Sequence, residues 1–137
     1  IMANVLPQGT LKLLIEDNII FIEATGPWNI EYLDHLHQKL LWALTQVDPH
    51  TYGVILSLKG EALSVESTLE YHINFIRHSQ SKIVAVNLEH CTTSLLAENL
   101  FSKMYRAAGF KYGFFDNAFE ARLWVEKEMI SAAISAS

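Results

Sequence analysis

The side chains of this chain with the types and neighbours for chemistry are two hydroxyls and a thiol. Ser64 and Ser67 stand between an apolar run, residues 53–58, and a helical pattern that opens near residue 67; Cys91 stands beside His90 after a second apolar run, residues 82–87. A serine at a helix start can accept an orphaned backbone N–H and cap the helix, which is worth about 1 kcal/mol. It can also carry a phosphate, which meets free N–H groups and the positive end of the helix dipole at that place. Ser67 and Glu70 have the S-x-x-E spacing of a capping box, so a structural cap is the first expectation. His90-Cys91 has the residue types of base and nucleophile, but adjacent side chains rarely face one another and working pairs are assembled in space. A small, semi-buried loop thiol is expected there.

Other chemistries fall away on spacing. His35 and His37 sit two apart on a helical stretch and diverge; His72 and His78 are six apart; His90 and Cys91 with a distant carboxylate fall short of the four ligands of structural zinc. No metal is expected. Neither G-x-G-x-x-G nor G-x-x-x-x-G-K-[ST] occurs, so Gly60 reads as an ordinary loop glycine and no nucleotide cofactor is expected. Glu16 and Asp17 are turn acids with no burial to raise a pKa. No residue is assigned a catalytic role, and an enzyme using His90, Cys91 or Ser64 is kept as an alternative to a binding role.

The whole chain narrows the classes further. Its 137 residues suit a single domain, and half of them are hydrophobic, so a packed core is expected. Ten Lys and Arg against fifteen Asp and Glu give a net charge of −5 with no basic stripe, which disfavours nucleic acid and anionic membranes. One cysteine forms no internal disulfide, and no apolar run approaches the roughly 20 residues of a membrane span. No secretory-signal pattern opens the chain, and a cytoplasmic location is expected.

The elements that must position these residues follow from periodicity. Residues 10–15 and 19–24 are β-rich and separated by Glu16-Asp17-Asn18, a hairpin turn. The second run has little polarity on either side and is expected to be buried on both faces. After Gly26-Pro27-Trp28-Asn29, a stripe of Ile30, Leu33, His37, Leu40, Leu41, Leu44 and Val47 predicts a helix of about five turns, capped by Asn29 and closed at Asp48-Pro49. A strand over 53–58, a helix over 67–77, a strand over 82–87, a helix over 92–107 stopped by Gly109, a strand over 112–115 and a helix from Asn117 to about Ile130 complete the series. Residues 1–9 and 131–137 read as loose ends. The order β-β-α-β-α-β-α-β-α, with helical crossovers after the hairpin, predicts an α/β fold: one open mixed sheet of about five strands with about four helices.

That order resembles the STAS fold of the anti-anti-sigma factors, in particular the SpoIIAA-like proteins, a superfamily that grades into the CRAL-TRIO lipid-binding domain. The resemblance covers residues 9–130 and rests on the hairpin leading to Gly26-Pro27-Trp28-Asn29, on Val54-Ile55-Leu56-Ser57-Leu58, on the serines before the second helix, and on Phe115-Asp116-Asn117-Ala118-Phe119-Glu120-Ala121-Arg122-Leu123-Trp124. It implies a single STAS-like domain and a phosphorylatable serine at the helix after the third strand, which falls at Ser67 with Ser64 as its neighbour. The chain departs from the pattern at Val65 and Glu66, where acid and serine are usual, at Thr68 in place of glycine, and at Ser57 in place of the strand-end aspartate.

Ligands of open α/β sheets lie outside the carboxyl ends of the strands. Here that gathers Trp28, Tyr32 and Leu63 as apolar surface and Ser64, Ser67, Asn87, Thr92 and Thr93 as hydrogen-bonding groups, the mixture typical of small-ligand and peptide sites. The leading expectation is therefore a non-enzymatic STAS-like binding or regulatory module for a protein partner or a small apolar ligand. Lipid carriage in the CRAL-TRIO manner is an alternative that a cavity above about 300 Å³ would favour. Exposed aromatics on a small acidic domain leave self-association open.

Overall fold

Asp17 and Asn18 hold positive φ angles of 53° and 62°, the backbone of a two-residue hairpin turn that these two residue types tolerate. They join β1 (Thr10–Glu16) to β2 (Ile19–Thr25) with Glu16 opposite Ile19. The coordinates are a computed structural model that describes residues 9–62 and 64–136. β1 alternates exposed and half-buried residues, as an edge strand does, whereas in β2 Ile19, Ile20, Ile22 and Ala24 are all buried. The expectation of a two-sided strand is met.

Next come α1 (Ile30–Ala43), β3 (Gly53–Gly60), α2 (Glu66–Ile76), β4 (Ile83–Cys91), α3 (Ser94–Ala108), β5 (Lys111–Phe115) and α4 (Ala118–Ala136). The five strands lie in the sheet in chain order; β1 and β2 are antiparallel, and every later pair is parallel. Element order and mixed sheet are as expected. Because the sheet always grows in the same direction, the right-handed crossover rule sends α1, α2 and α3 to one face. The buried residues agree: Leu33, Leu36, Ile76, Phe101 and Met104 join one cluster with Ile20, Leu56, Leu58 and Val86, while Ala121 and Val125 of α4 meet Ile19, Ile55 and Ala85 on the other.

Several boundaries differ from the sequence expectations. α2 begins at Glu66 with Val65 at its N-cap and no side-chain cap bond. Ser67 therefore lies inside the first turn, and the Ser67–Glu70 capping box does not form, because a residue already helical cannot reach back to the orphan N–H groups. β4 runs on to Cys91, since Lys59 pairs with His90 and Gly60 with Cys91 after a bulge; His90 and Cys91 belong to a strand and not to a loop. α1 is shorter than five turns, and Leu41 and Trp42 are exposed while Leu36 and Ala43 are buried. α4 continues past the expected stop near Ile130 to Ala136, so residues 131–136 are helical and not a loose end, because the alanines there are the strongest helix formers. The caps of α1 and α4 do form: Tyr32 N donates to Asn29 Oδ1 at 2.9 Å and Glu120 N to Asn117 Oδ1 at 2.8 Å. Gly109 ends α3 in the left-handed region, φ 81°, where glycine is favoured.

Candidate functional site

Between the sheet and the layer of α1, α2 and α3 lies an apolar cavity of about 100 Å³. Val54, Leu56 and Leu58 of β3 all line it, so it follows the strand for about 13 Å at the usual rise of about 3.3 Å per residue. Its far wall is Tyr32, Leu36 and Leu40 from α1, Leu69 and Ile76 from α2, and Phe101 and Met104 from α3. Parallel strands supply this lining naturally, because alternate β-branched and leucine side chains all point to the helix side. An engineered apolar cavity of about 150 Å³ is large enough to take up benzene; this one is of small-molecule size and well below the several hundred Å³ of drug or lipid pockets.

Few polar groups face it, and they differ in how well they are satisfied. The buried Trp28 indole packs edge-on to Phe101 at 6.0 Å and tilted to Tyr32 at 6.3 Å. Its Nε1–H has no hydrogen-bond partner among the described residues. The Tyr32 oxygen is near: burial raises the Tyr32 pKa, and the indole N–H works against that rise. The two do not meet in hydrogen-bond geometry, however, and the Tyr32 hydroxyl donates to the Thr10 carbonyl at 3.0 Å. A buried donor left without an acceptor costs about 1–3 kcal/mol. Trp28 Nε1 is thus the one fully buried side-chain nitrogen or oxygen among the described residues with no hydrogen-bond partner.

A second polar feature joins α1 to α2. His37 Nε2 and His72 Nδ1 are 2.8 Å apart, so one ring donates its hydrogen to the other, and His37 stacks on Phe75 at 3.9 Å between ring centres. Burial lowers the His37 pKa to about 4, partly opposed by Asp34. Burial, then the neighbouring His37, lowers that of His72 to about 3. His72 is surrounded by protein yet retains partial accessibility and lines the cavity. Beside the pair, the Tyr71 hydroxyl donates to Asp34 Oδ1. Sequence reading compared histidines only within one helix and missed this contact. The available signal was a histidine on the apolar stripe of each of two helices, His37 beside Leu33 and Leu40, and His72 between Leu69 and Ile76.

Of the residues singled out from sequence, Trp28, Tyr32 and Ser64 come together on the cavity wall, where Ser64 Oγ donates to the Trp28 carbonyl at 3.3 Å. Leu63 lies outside the described residues. Ser67 is exposed on α2, and Thr92 is exposed with its N–H bonded to the Gly60 carbonyl at 2.8 Å. Thr93 Oγ1 accepts from Ala62 N at 2.9 Å and ties the two carboxyl-end loops together. Asn87 lies on the opposite face, its Nδ2 donating to Ser57 Oγ at 3.4 Å. Strand alternation separates His90 from Cys91: His90 reaches the same groove as Asn87, while Cys91 packs on the helix-side core with Sγ 3.9 Å from Thr93 Oγ1. Among the described residues no three His, Cys, Asp or Glu side chains are grouped to hold a metal ion.

The groove holding Asn87 is the larger space, about 340 Å³, at the open end of the sheet beyond the start of α4. Its charges satisfy one another. Glu23 pairs with Lys59 and, at 3.9 Å, with Lys12, and the Lys59 contact leads the causes that lower the Glu23 pKa. The smaller cavity is the stronger candidate, since it is apolar, walled and lined by Trp28, whose indole N–H has no partner among the described residues.

The chain matches no protein-family model, and no curated protein matches it significantly. Among solved structures it is similar to an uncharacterised protein of the DUF3478 family, with a SpoIIAA-like fold, from Shewanella loihica. The two share 15% identity with a TM-score of 0.56 over 90% of this chain and 98% of that one. The chain therefore has a SpoIIAA-like, STAS-like α/β fold. Among its described residues no helix is long and apolar enough to cross a membrane.

Proposed function

We propose that this STAS-like domain is a non-enzymatic binding module whose cavity takes a small apolar molecule carrying one hydrogen-bond acceptor. The observation that carries the reading is Trp28, which lines a largely apolar cavity and whose buried Nε1–H has no hydrogen-bond partner among the described residues. A ligand carbonyl or ether oxygen meeting that N–H removes an existing cost, and the remaining surface rewards apolar contact. The cavity's size, about 100 Å³, favours a short chain or a single ring over a lipid. Support for binding over catalysis is geometric, since Cys91 and His90 point to opposite faces and the Ser64 hydroxyl is committed to a backbone carbonyl.

The test is titration of ¹⁵N-labelled protein with short straight-chain 2-ketones and with alkanes of the same length. The ketones should bind more tightly and move the indole resonance of Trp28, leaving those of the exposed Trp42 and the α4 residue Trp124 in place. Trp28→Phe should erase the preference for ketone over alkane. If neither series moves the Trp28 resonance, or both move it alike, the reading is wrong.

A further inference from the structure

α4 carries apolar residues on two opposite sides. Ala121 and Val125 are buried against the sheet, yet Phe119, Leu123, Ile130 and Ile134 are 72%, 53%, 62% and 69% exposed. At about 100° per residue those four fall within an arc of about 60° on the side away from the sheet. A helix covering one face of a domain ordinarily shows charge there. This one shows a second seam running most of its 19 residues, about 28 Å.

The residues flanking the seam indicate what covers it. Glu126 lies along one edge and Lys127 along the other, about 50° to either side of the seam's midline. Lys127 makes no ion pair with a described residue, and Glu126 only leans on Arg122 at 3.5 Å, a guanidinium already held by Glu16 and Asp17. When two such helices lie side by side in parallel, the left edge of each faces the right edge of the other at the same height. Glu126 then meets Lys127 of the second copy, and the same pair recurs across the two-fold axis. An antiparallel pairing would set Glu126 beside Glu126 and Lys127 beside Lys127. Edge charges of this kind set partner and orientation in paired helices. We propose that α4 is the interface of a parallel homodimer, with Phe119, Leu123, Ile130 and Ile134 each stacked on its own copy. A single helix pair is a small interface, so the association is weak and concentration-dependent.

Sedimentation from about 5 to about 300 μM, the range in which weak, small interfaces associate, should show monomer passing to dimer. Leu123→Glu with Ile130→Glu should remove the dimer while the circular dichroism spectrum stays that of the parent. Glu126→Lys alone and Lys127→Glu alone should each weaken association about tenfold or more, and the double exchange should restore it. With Cys91→Ser as background, Leu123→Cys should cross-link to itself under mild oxidation. The proposal is overturned by a monomer at every concentration, by a dimer indifferent to the glutamates, or by cross-linking only in mixtures of Leu123→Cys with Ile130→Cys, the antiparallel signature.

Discussion

Three helices lie on one face of the sheet and one on the other, and the two layers close differently. On the α4 side the fit is tight enough that β3 needs a glycine: a Cβ on Gly53 would stand 2.5 Å from Val125 Cγ1 and 2.8 Å from Met129 Sδ. On the three-helix side the layer stops short of the sheet and leaves a lined gap of about 100 Å³, with the Trp28 indole, unpaired among the described residues, and a histidine pair at its margins. Where helix lies directly on strand, more helices have not packed the sheet better; the larger groove on the α4 side lies beyond the start of that helix. α1, α2 and α3 must each satisfy their own connections, and the space where they converge is the residue of that compromise, whereas α4 is free to settle directly onto β3 and β4.

The sharpest way to break this contrast is to add atoms to each face. Gly53→Val should cost about 3 kcal/mol by overpacking, measured by urea unfolding. Ala24→Val, which adds two methyl groups toward the cavity, should stay within about 0.5 kcal/mol of the parent. A parent-like Gly53→Val would remove the difference between the faces.

Between about pH 6.5 and 4.5 acid should act mainly on the loose face. His37 and His72 are neutral in the fold with pKa values lowered to about 4 and about 3, whereas unfolded histidines titrate near 6.5. The unfolded chain therefore binds more protons once the pH drops below about 6.5, so this contribution is full above that value and is lost as the pH falls toward about 4. Its size at about pH 4.5 should be on the order of 2 kcal/mol for each histidine. The double variant His37→Phe with His72→Leu should flatten that pH dependence, and hydrogen exchange at about pH 4.5 should loosen α1 and α2 ahead of α4. Equal loosening of all helices would assign the acid effect elsewhere.

The smallest effect separates the two walls of the cavity. Asn29 caps α1 and Ser67 does not cap α2, so Asn29→Ala should lower stability by about 1 kcal/mol while Ser67→Ala changes it by about nothing. If Ser67→Ala proved the costlier change, α2 would be the anchored wall and α1 the movable one.

The order of elements was legible because each carries its own local pattern: the β-rich runs of β1 and β2, the apolar run of β3, the Leu33–His37–Leu40–Leu44 stripe of α1. Turn and cap chemistry at Asp17-Asn18, Asn29, Asn117 and Gly109 was equally local, and it held. What failed to show was decided at a distance. Residues 88–91 look polar and loop-like, yet they become strand because the end of β3 offers backbone partners thirty residues away. The S-x-x-E spacing at Ser67 suits a cap, but the helix starts one residue earlier, at Glu66. Trp28, Tyr32 and Ser64 were named from sequence as surface at the carboxyl ends of the strands and line the cavity instead; the cavity's length, and the contact between His37 and His72, arise only when α1 and α2 are laid side by side.

The strands stand in the sheet in the order in which they occur in the chain. Every strand neighbour is thus one hairpin or one crossover away, and no loop has to close around a later element. Contacts of short sequence separation lower the entropic barrier to folding, so the sheet can be assembled by adding one strand at a time to a growing edge. α4 is the exception, since it reaches back from β5 across β4 to Gly53 of β3 and can dock only on a sheet that already exists. By that logic α4 is a late-forming clasp on this domain, and its mutations should speed unfolding more than they slow folding.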